Sequence, residues 1–106
     1  MKAVEEGDIV LYKLTTTEEI IAKVVELGDD YVVLNRPRVL APMEAQNGKI
    51  GLVMIPWMMG GQDPDSGFES DVVVSNITVA GRVFDAPKSL IDMYVQKTSG
   101  IQLVTG

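Results

Sequence analysis

The sequence predicts a mainly β domain of five strands followed by one C-terminal helix. Three observations carry this. Val, Ile and Thr make up 29 of 106 residues, and side chains branched at Cβ favour strands. Short apolar runs alternate with Gly-, Asp- and Thr-rich stops as far as residue 84, the rhythm of strands and tight turns. After Pro87 the apolar period lengthens from two to that of a helix.

The first strand is Ile9-Val10-Leu11-Tyr12-Lys13-Leu14, opened by Gly7-Asp8 and ended by Thr15-Thr16-Thr17-Glu18. The second runs from Glu19 to Leu27. Ile21, Val24 and Val25 also suit a helix, but the β-branched content and the Gly28-Asp29-Asp30 stop favour a strand. The third begins at Tyr31-Val32-Val33-Leu34-Asn35-Arg36. Pro37 holds Arg36 extended and cannot donate to a ladder, so the strand continues at an edge or through a bend to Val39-Leu40. Residues 41–49 read as a loop closing on Asn47-Gly48, a strong turn signal. The fourth strand, Ile50 to Met58, is apolar on both alternating faces: Ile50, Leu52, Met54 and Met58 on one, Val53, Ile55 and Trp57 on the other. A domain this small rarely buries both sides of a strand by itself, so a second copy is expected to cover part of it. A Gly- and Asp-rich loop spans 59–71. Val72-Val73-Val74 and Ile77 to Phe84 then supply a fifth strand kinked at Ser75-Asn76. In the tail, Pro87 suits a first helical turn with Asp85 or Ala86 as cap. Leu90, Ile91, Tyr94 and Val95 share one face, and Gly100 is a natural stop. The expected organisation is a single domain over 1–106, with strands at about 8–84 and the helix and tail at about 85–106.

Composition excludes several chemistries. The chain has no Cys and no His, which removes thiolate nucleophiles, Ser-His and Cys-His relays, His-ligated haem and the usual zinc sites. Its formal net charge is −6, which argues against broad electrostatic grip on a phosphate backbone. Charge is unevenly spread: net −5 over 1–30, +2 over 31–58, −4 over 59–71 and +1 over 72–106. The acidic N-terminus lacks the apolar stretch of a secretory signal, and the longest apolar run is 8 residues, Leu52 to Met59, far short of the roughly 20 a membrane helix needs. A cytoplasmic, membrane-free protein is expected.

Three segments invite chemistry. The loop Asp63-Pro64-Asp65-Ser66-Gly67-Phe68-Glu69-Ser70-Asp71 alternates carboxylates as a calcium site does. However, Gly67, Phe68 and Val74 stand where an EF-hand needs a ligand, a glycine and a glutamate. A solvated, flexible loop is the better reading, and no metal is expected. Asp29-Asp30 has no nucleophile or phosphate cradle beside it and reads as a turn. With no catalytic constellation and no cofactor signature, the protein is expected not to be an enzyme. Asn35-Arg36-Pro37-Arg38 is the third. Its arginines project to one face of an extended segment, where with Lys49 and Arg82 they can hold phosphates while Tyr31 or Trp57 stacks a base. The plainer alternative is that they pair with surplus acids such as Glu26 or Glu44.

Asp29-Asp30-Tyr31-Val32-Val33-Leu34 resembles the Asp-x-aromatic-hydrophobic-hydrophobic-Leu stretch of the bacterial host-factor (Hfq) branch of the Sm/LSm family. Val10-Leu11-Tyr12-Lys13-Leu14 with its polar turn is similar to that family's first strand. The segments Gly51 to Met58 and Tyr94 to Ile101 also look like small marine cyanophage proteins. The chain departs from the family in ending its second motif Gly81-Arg82 rather than Arg-Gly, and in having no His for the host-factor branch's Tyr-Lys-His signature. The resemblance implies a strongly bent, five-stranded open barrel. It also implies a homo-oligomeric ring joined head to tail through the fourth and fifth strands, with Leu52, Val53, Met54, Ile55, Ile77 and Val79 at the interface. Such a ring would bind RNA or single-stranded DNA, in a phage-infected bacterial cytoplasm if phage-encoded. The alternative is a structural or protein-interaction ring, such as a phage assembly component, that binds no nucleic acid.

Overall fold

A computed structural model of the chain describes residues 3–99. Its elements are β1 (Ile9–Leu14), β2 (Glu19–Leu27), β3 (Tyr31–Glu44), β4 (Ile50–Pro56), β5 (Val72–Ser75), β6 (Val79–Arg82) and α1 (Lys88–Thr98). The sheet is antiparallel, ordered β4-β3-β2-β1-β6, with β5 added beside β3. It is open: its main path ends at β4 and β6, which do not pair with each other, and β5 is a further edge beside the start of β3.

The first two strands and the helix lie where the residue pattern puts them; the stop expected at Gly100 is outside the described residues. Three expectations are corrected. Six strands form, not five. The segment expected as one kinked strand divides at a 3-10 turn, Asn76–Thr78, and its halves join different neighbours: β5 pairs with β3, while β6 pairs with β1. β3 is also longer than expected, running to Glu44, because 38–44 find a full antiparallel partner in β4. The loop therefore shrinks to the Asn47-Gly48 turn, with Gly48 at φ +80°. Pro87, finally, is the residue before the helix rather than its first turn.

Two irregularities bend the β2–β3 ladder. Between Ile21↔Arg38 and Lys23↔Asn35, β3 carries one extra residue, at Arg36-Pro37. Between Val24↔Leu34 and Glu26↔Val33, the extra residue is Val25 of β2. Bulges of this kind kink a strand and increase its twist. Pro37 belongs at one for a physical reason, since it has no N–H for the ladder, and it is fully buried there. The following proline predicts an extended Arg36, but the residue takes φ +49°, a left-handed conformation uncommon for a non-glycine residue.

Alternation sorts the strands onto two faces. Val10, Tyr12, Leu14, Ile20, Ala22, Val24, Val32, Leu34 and Val74 form the main core, with Val39, Trp57, Val72 and Val79 packed against it. Leu11 and Ile21, of opposite parity, are also buried. On that second side Ile9, Lys23 and Asn35 share a cleft of about 300 Å³ with Tyr94 and Val95 of α1. No helix among the described residues is long and apolar enough to cross a membrane.

Candidate nucleic-acid interface

The bulge in β3 sets the geometry of the Asn35–Arg38 segment. Arg38 is buried and turns its guanidinium onto Glu69, donating from Nη1 to Oε2 at 2.8 Å and from Nη2 to Oε1 at 2.9 Å. The two side chains are 9% and 6% exposed, so this is a buried, bidentate ion pair. Arg36 lies on the same carboxylate at 3.8 Å, with about a third of its side chain exposed. Asn35 donates from Nδ2 to Asp71 at 2.9 Å. Acids do pair with these groups, but they come from the 59–71 segment rather than from Glu26 or Glu44. That segment is exposed over 63–68, as the residues suggest, but it is not a free loop. It folds on itself through a Gln62↔Glu69 bridge and through Asp63 N–H to Phe68 C=O at 2.8 Å. Gly67 N–H to Asp63 C=O and Ser70 N–H to Gly61 C=O, both at 2.9 Å, complete it.

The aromatic candidates are likewise engaged. The Tyr31 hydroxyl donates to the Glu26 carboxylate, and that bond pushes the phenol above its ordinary pKa. Its ring occupies the space over Gly28, where a Cβ would come within 2.1 Å of a ring carbon; the glycine is what lets the ring lie there. Trp57 donates its indole N–H to Glu18 at 3.1 Å. The Thr16 hydroxyl first, and that indole second, hold the Glu18 carboxyl below the usual range. Trp57 also donates its backbone N–H to the Pro37 carbonyl at 3.1 Å, which brings it beside Arg38.

The remaining candidates stand apart. Tyr31 pairs with Ser75 at the start of β3, six residues and about 20 Å of extended chain from Pro37. Lys49 is exposed beside the β3–β4 turn, beyond the Glu44↔Ile50 pair. Arg82 pairs in register with Tyr12 on β6, and its charge partly offsets the rise that burial gives the Tyr12 phenol. The structure thus gathers Asn35, Arg36 and Arg38 on Glu69 and Asp71, ties only the backbone of Trp57 to that bend while its side chain packs against the main core, and leaves Tyr31, Lys49 and Arg82 elsewhere. Of the candidate interface residues, Leu52 and Ile55 are exposed on β4 while Val53 and Met54 are half-buried. Ile77 is 85% exposed in the turn before β6, and Val79 packs against the core.

Sequence reasoning missed Glu69, Asp71 and Tyr94. The first two had a signal: the −4 block at 59–71 directly follows the +2 block at 31–58, and adjacent blocks of opposite charge attract. Among the described residues, no group of three or more metal-ligating side chains converges. No family model matches the chain, and no curated protein matches it.

Proposed function

We propose that the protein is a non-enzymatic, self-assembling β domain, an Sm-like subunit that joins copies of itself head to tail in a ring and acts through protein contacts. The observation that carries this reading is the state of the two sheet ends. Unpaired strand edges are adhesive unless covered. Here β4 ends the sheet with Ile50, Leu52 and Ile55 exposed, and Ile77 stands exposed beside β6 at the other end. A head-to-tail contact needs two different patches on each subunit, and closes into a ring when the rotation permits. Light scattering tests it directly: a mass that is a multiple of 11.5 kDa supports the reading, and a monomer at micromolar concentration refutes it.

Binding of RNA or single-stranded DNA is the second reading. One observation favours it: Arg36 is partly exposed beside Asn35 on a sharply bent strand. Against it stands the commitment of Arg38, Tyr31 and Trp57 to Glu69, Glu26 and Glu18. A salt-dependent oligonucleotide titration separates the two readings.

A further inference from the structure

We propose that Glu69 is a displaceable intramolecular ligand: it fills a latent oxyanion site of phosphate type made by Arg36 and Arg38, and the 59–71 segment lifts when such an anion takes its place. The shape of the Arg38 fork is not particular to a carboxylate. A guanidinium donating two parallel N–H bonds matches a carboxylate and a phosphate equally well, and Arg38 meets Glu69 in that fork at 2.8 and 2.9 Å. Charge points the same way: within ion-pair distance one carboxylate faces two guanidiniums. A phosphate dianion would balance both.

Geometry adds a second mismatch. Arg36 stands 3.8 Å from the Glu69 oxygen, beyond hydrogen-bond reach, although its backbone is held at φ +49° immediately before a proline. Backbone held in a sparsely populated region needs the surrounding fold to keep it there, and clusters at ligand sites. A tetrahedral anion offers Arg36 an oxygen that the planar carboxylate, already used by Arg38, does not. The segment that carries Glu69 is also built to move as a unit. Its turn is closed by bonds within 61–70, and it is tied to β3 by Glu69 and Asp71. Its net charge of −4 holds it against the arginines and shields them from other anions. The 59–71 segment is on this view an autoinhibitory strap, which buries Arg38 and leaves Arg36 only partly exposed.

The probes are inorganic phosphate and a short fluorescently labelled oligothymidylate. In the wild type, hydrogen exchange of 59–71 is expected to quicken in phosphate relative to chloride at equal ionic strength. Glu69→Gln is expected to bind the oligonucleotide about tenfold or more tightly than the wild type, the factor one charge-assisted hydrogen bond commands. Asp63→Asn changes the net charge equally on the same segment and is expected to give no such gain. The gain is also expected to vanish when Arg36→Met and Arg38→Met are added. Response to phosphate alone assigns the site to free anions; response to both assigns it to phosphodiesters as well. Unchanged exchange in phosphate, or an equal gain from Asp63→Asn, overturns the proposal. Should Glu69→Gln fail to fold, the wild-type exchange measurement decides alone. None of these outcomes bears on self-assembly, which mass measures separately.

Discussion

The hydroxyl of Tyr94 donates to the backbone carbonyl of Asn35 at 2.7 Å and accepts from the Lys23 N–H at 3.1 Å. One phenol from α1 thereby bridges β2 and β3 where their register shifts. A bulge leaves ladder groups without their regular partners, and buried backbone groups must be satisfied somehow. Tyr94 does this and docks the helix in the same act.

Tyr94→Phe keeps the ring and removes the bridge. It is expected to destabilise the fold by about 1–3 kcal/mol, the cost of leaving buried polar groups unsatisfied. Urea unfolding checks this. An unchanged midpoint would show that water or a relaxed ladder replaces the hydroxyl.

Burial raises the phenol pKa of both Tyr12 and Tyr94. A raised folded value means that the unfolded chain ionises first. The stabilisation is therefore complete below the unfolded value of about 10 and is lost as pH climbs through the folded values. Phenolate absorbance followed against pH is expected to show one tyrosine-dependent step coincident with alkaline unfolding. Free titration of all three tyrosines near pH 10 without loss of structure would contradict it.

The contrast between Tyr94 and Tyr31 shows how far the residue pattern reaches. Alternation and turn residues locate β1, β2 and the helix because those signals are local. Tyr94 is legible as an apolar-face residue, but its bridge depends on a bulge 59 residues away in sequence, which no local pattern encodes. The division of β5 from β6 fails for a similar reason. Val72–Ser75 and Val79–Arg82 lie close together in one apolar stretch, and nothing local in either says that the first joins β3 and the second β1. At the site, two-residue spacing of Arg36 and Arg38 predicted a shared exposed face. Both side chains do reach one place, the Glu69 carboxylate, but the bulge at Arg36-Pro37 leaves Arg38 buried there and only Arg36 partly exposed.

Because the Arg38–Glu69 pair is buried, removing one partner strands the other. Arg38→Met is expected to destabilise by about 3–5 kcal/mol, whereas Arg38→Met with Glu69→Met, which removes both charges, is expected to recover most of that loss. A double-mutant cycle in thermal unfolding measures it. Equal, additive losses would mean that the pair contributes through packing alone.

Glu18 links Thr16 to the sole tryptophan. Its lowered pKa means that its contribution to stability is present above the unfolded value of about 4.3 and is lost as pH falls through the folded one. Trp57 fluorescence is expected to shift with a midpoint below the ordinary glutamate range. Thr16→Ala, which removes the larger cause, is expected to move that midpoint upward. A midpoint indifferent to Thr16 would detach the hydroxyl from the titration.

The exposed apolar residues of β4 give the sharpest test of assembly. Ile50 is 76% exposed, and Leu52 and Ile55 are each nearly half exposed. Leu52 and Ile55 differ in parity, so the strand presents apolar surface on both faces and covers neither fully. They lie at the sheet edge, so a charge placed there meets water in the monomer and leaves the core intact. In an assembly the same charge would be buried without a partner, which is strongly unfavourable. Leu52→Asp or Ile55→Asp is therefore expected to lower the mass measured by light scattering while leaving the circular dichroism spectrum and the unfolding midpoint of the single subunit close to wild type. Ile77→Asp, at the opposite end of the sheet, is expected to do the same, because a head-to-tail contact uses both patches at every junction. Mixing a β4 variant with an Ile77 variant then distinguishes the geometry. Each retains one good patch, so the two are expected to form a single heterologous dimer that cannot close. Failure to pair, with both variants monomeric and folded, would mean that the two patches do not face each other across the junction.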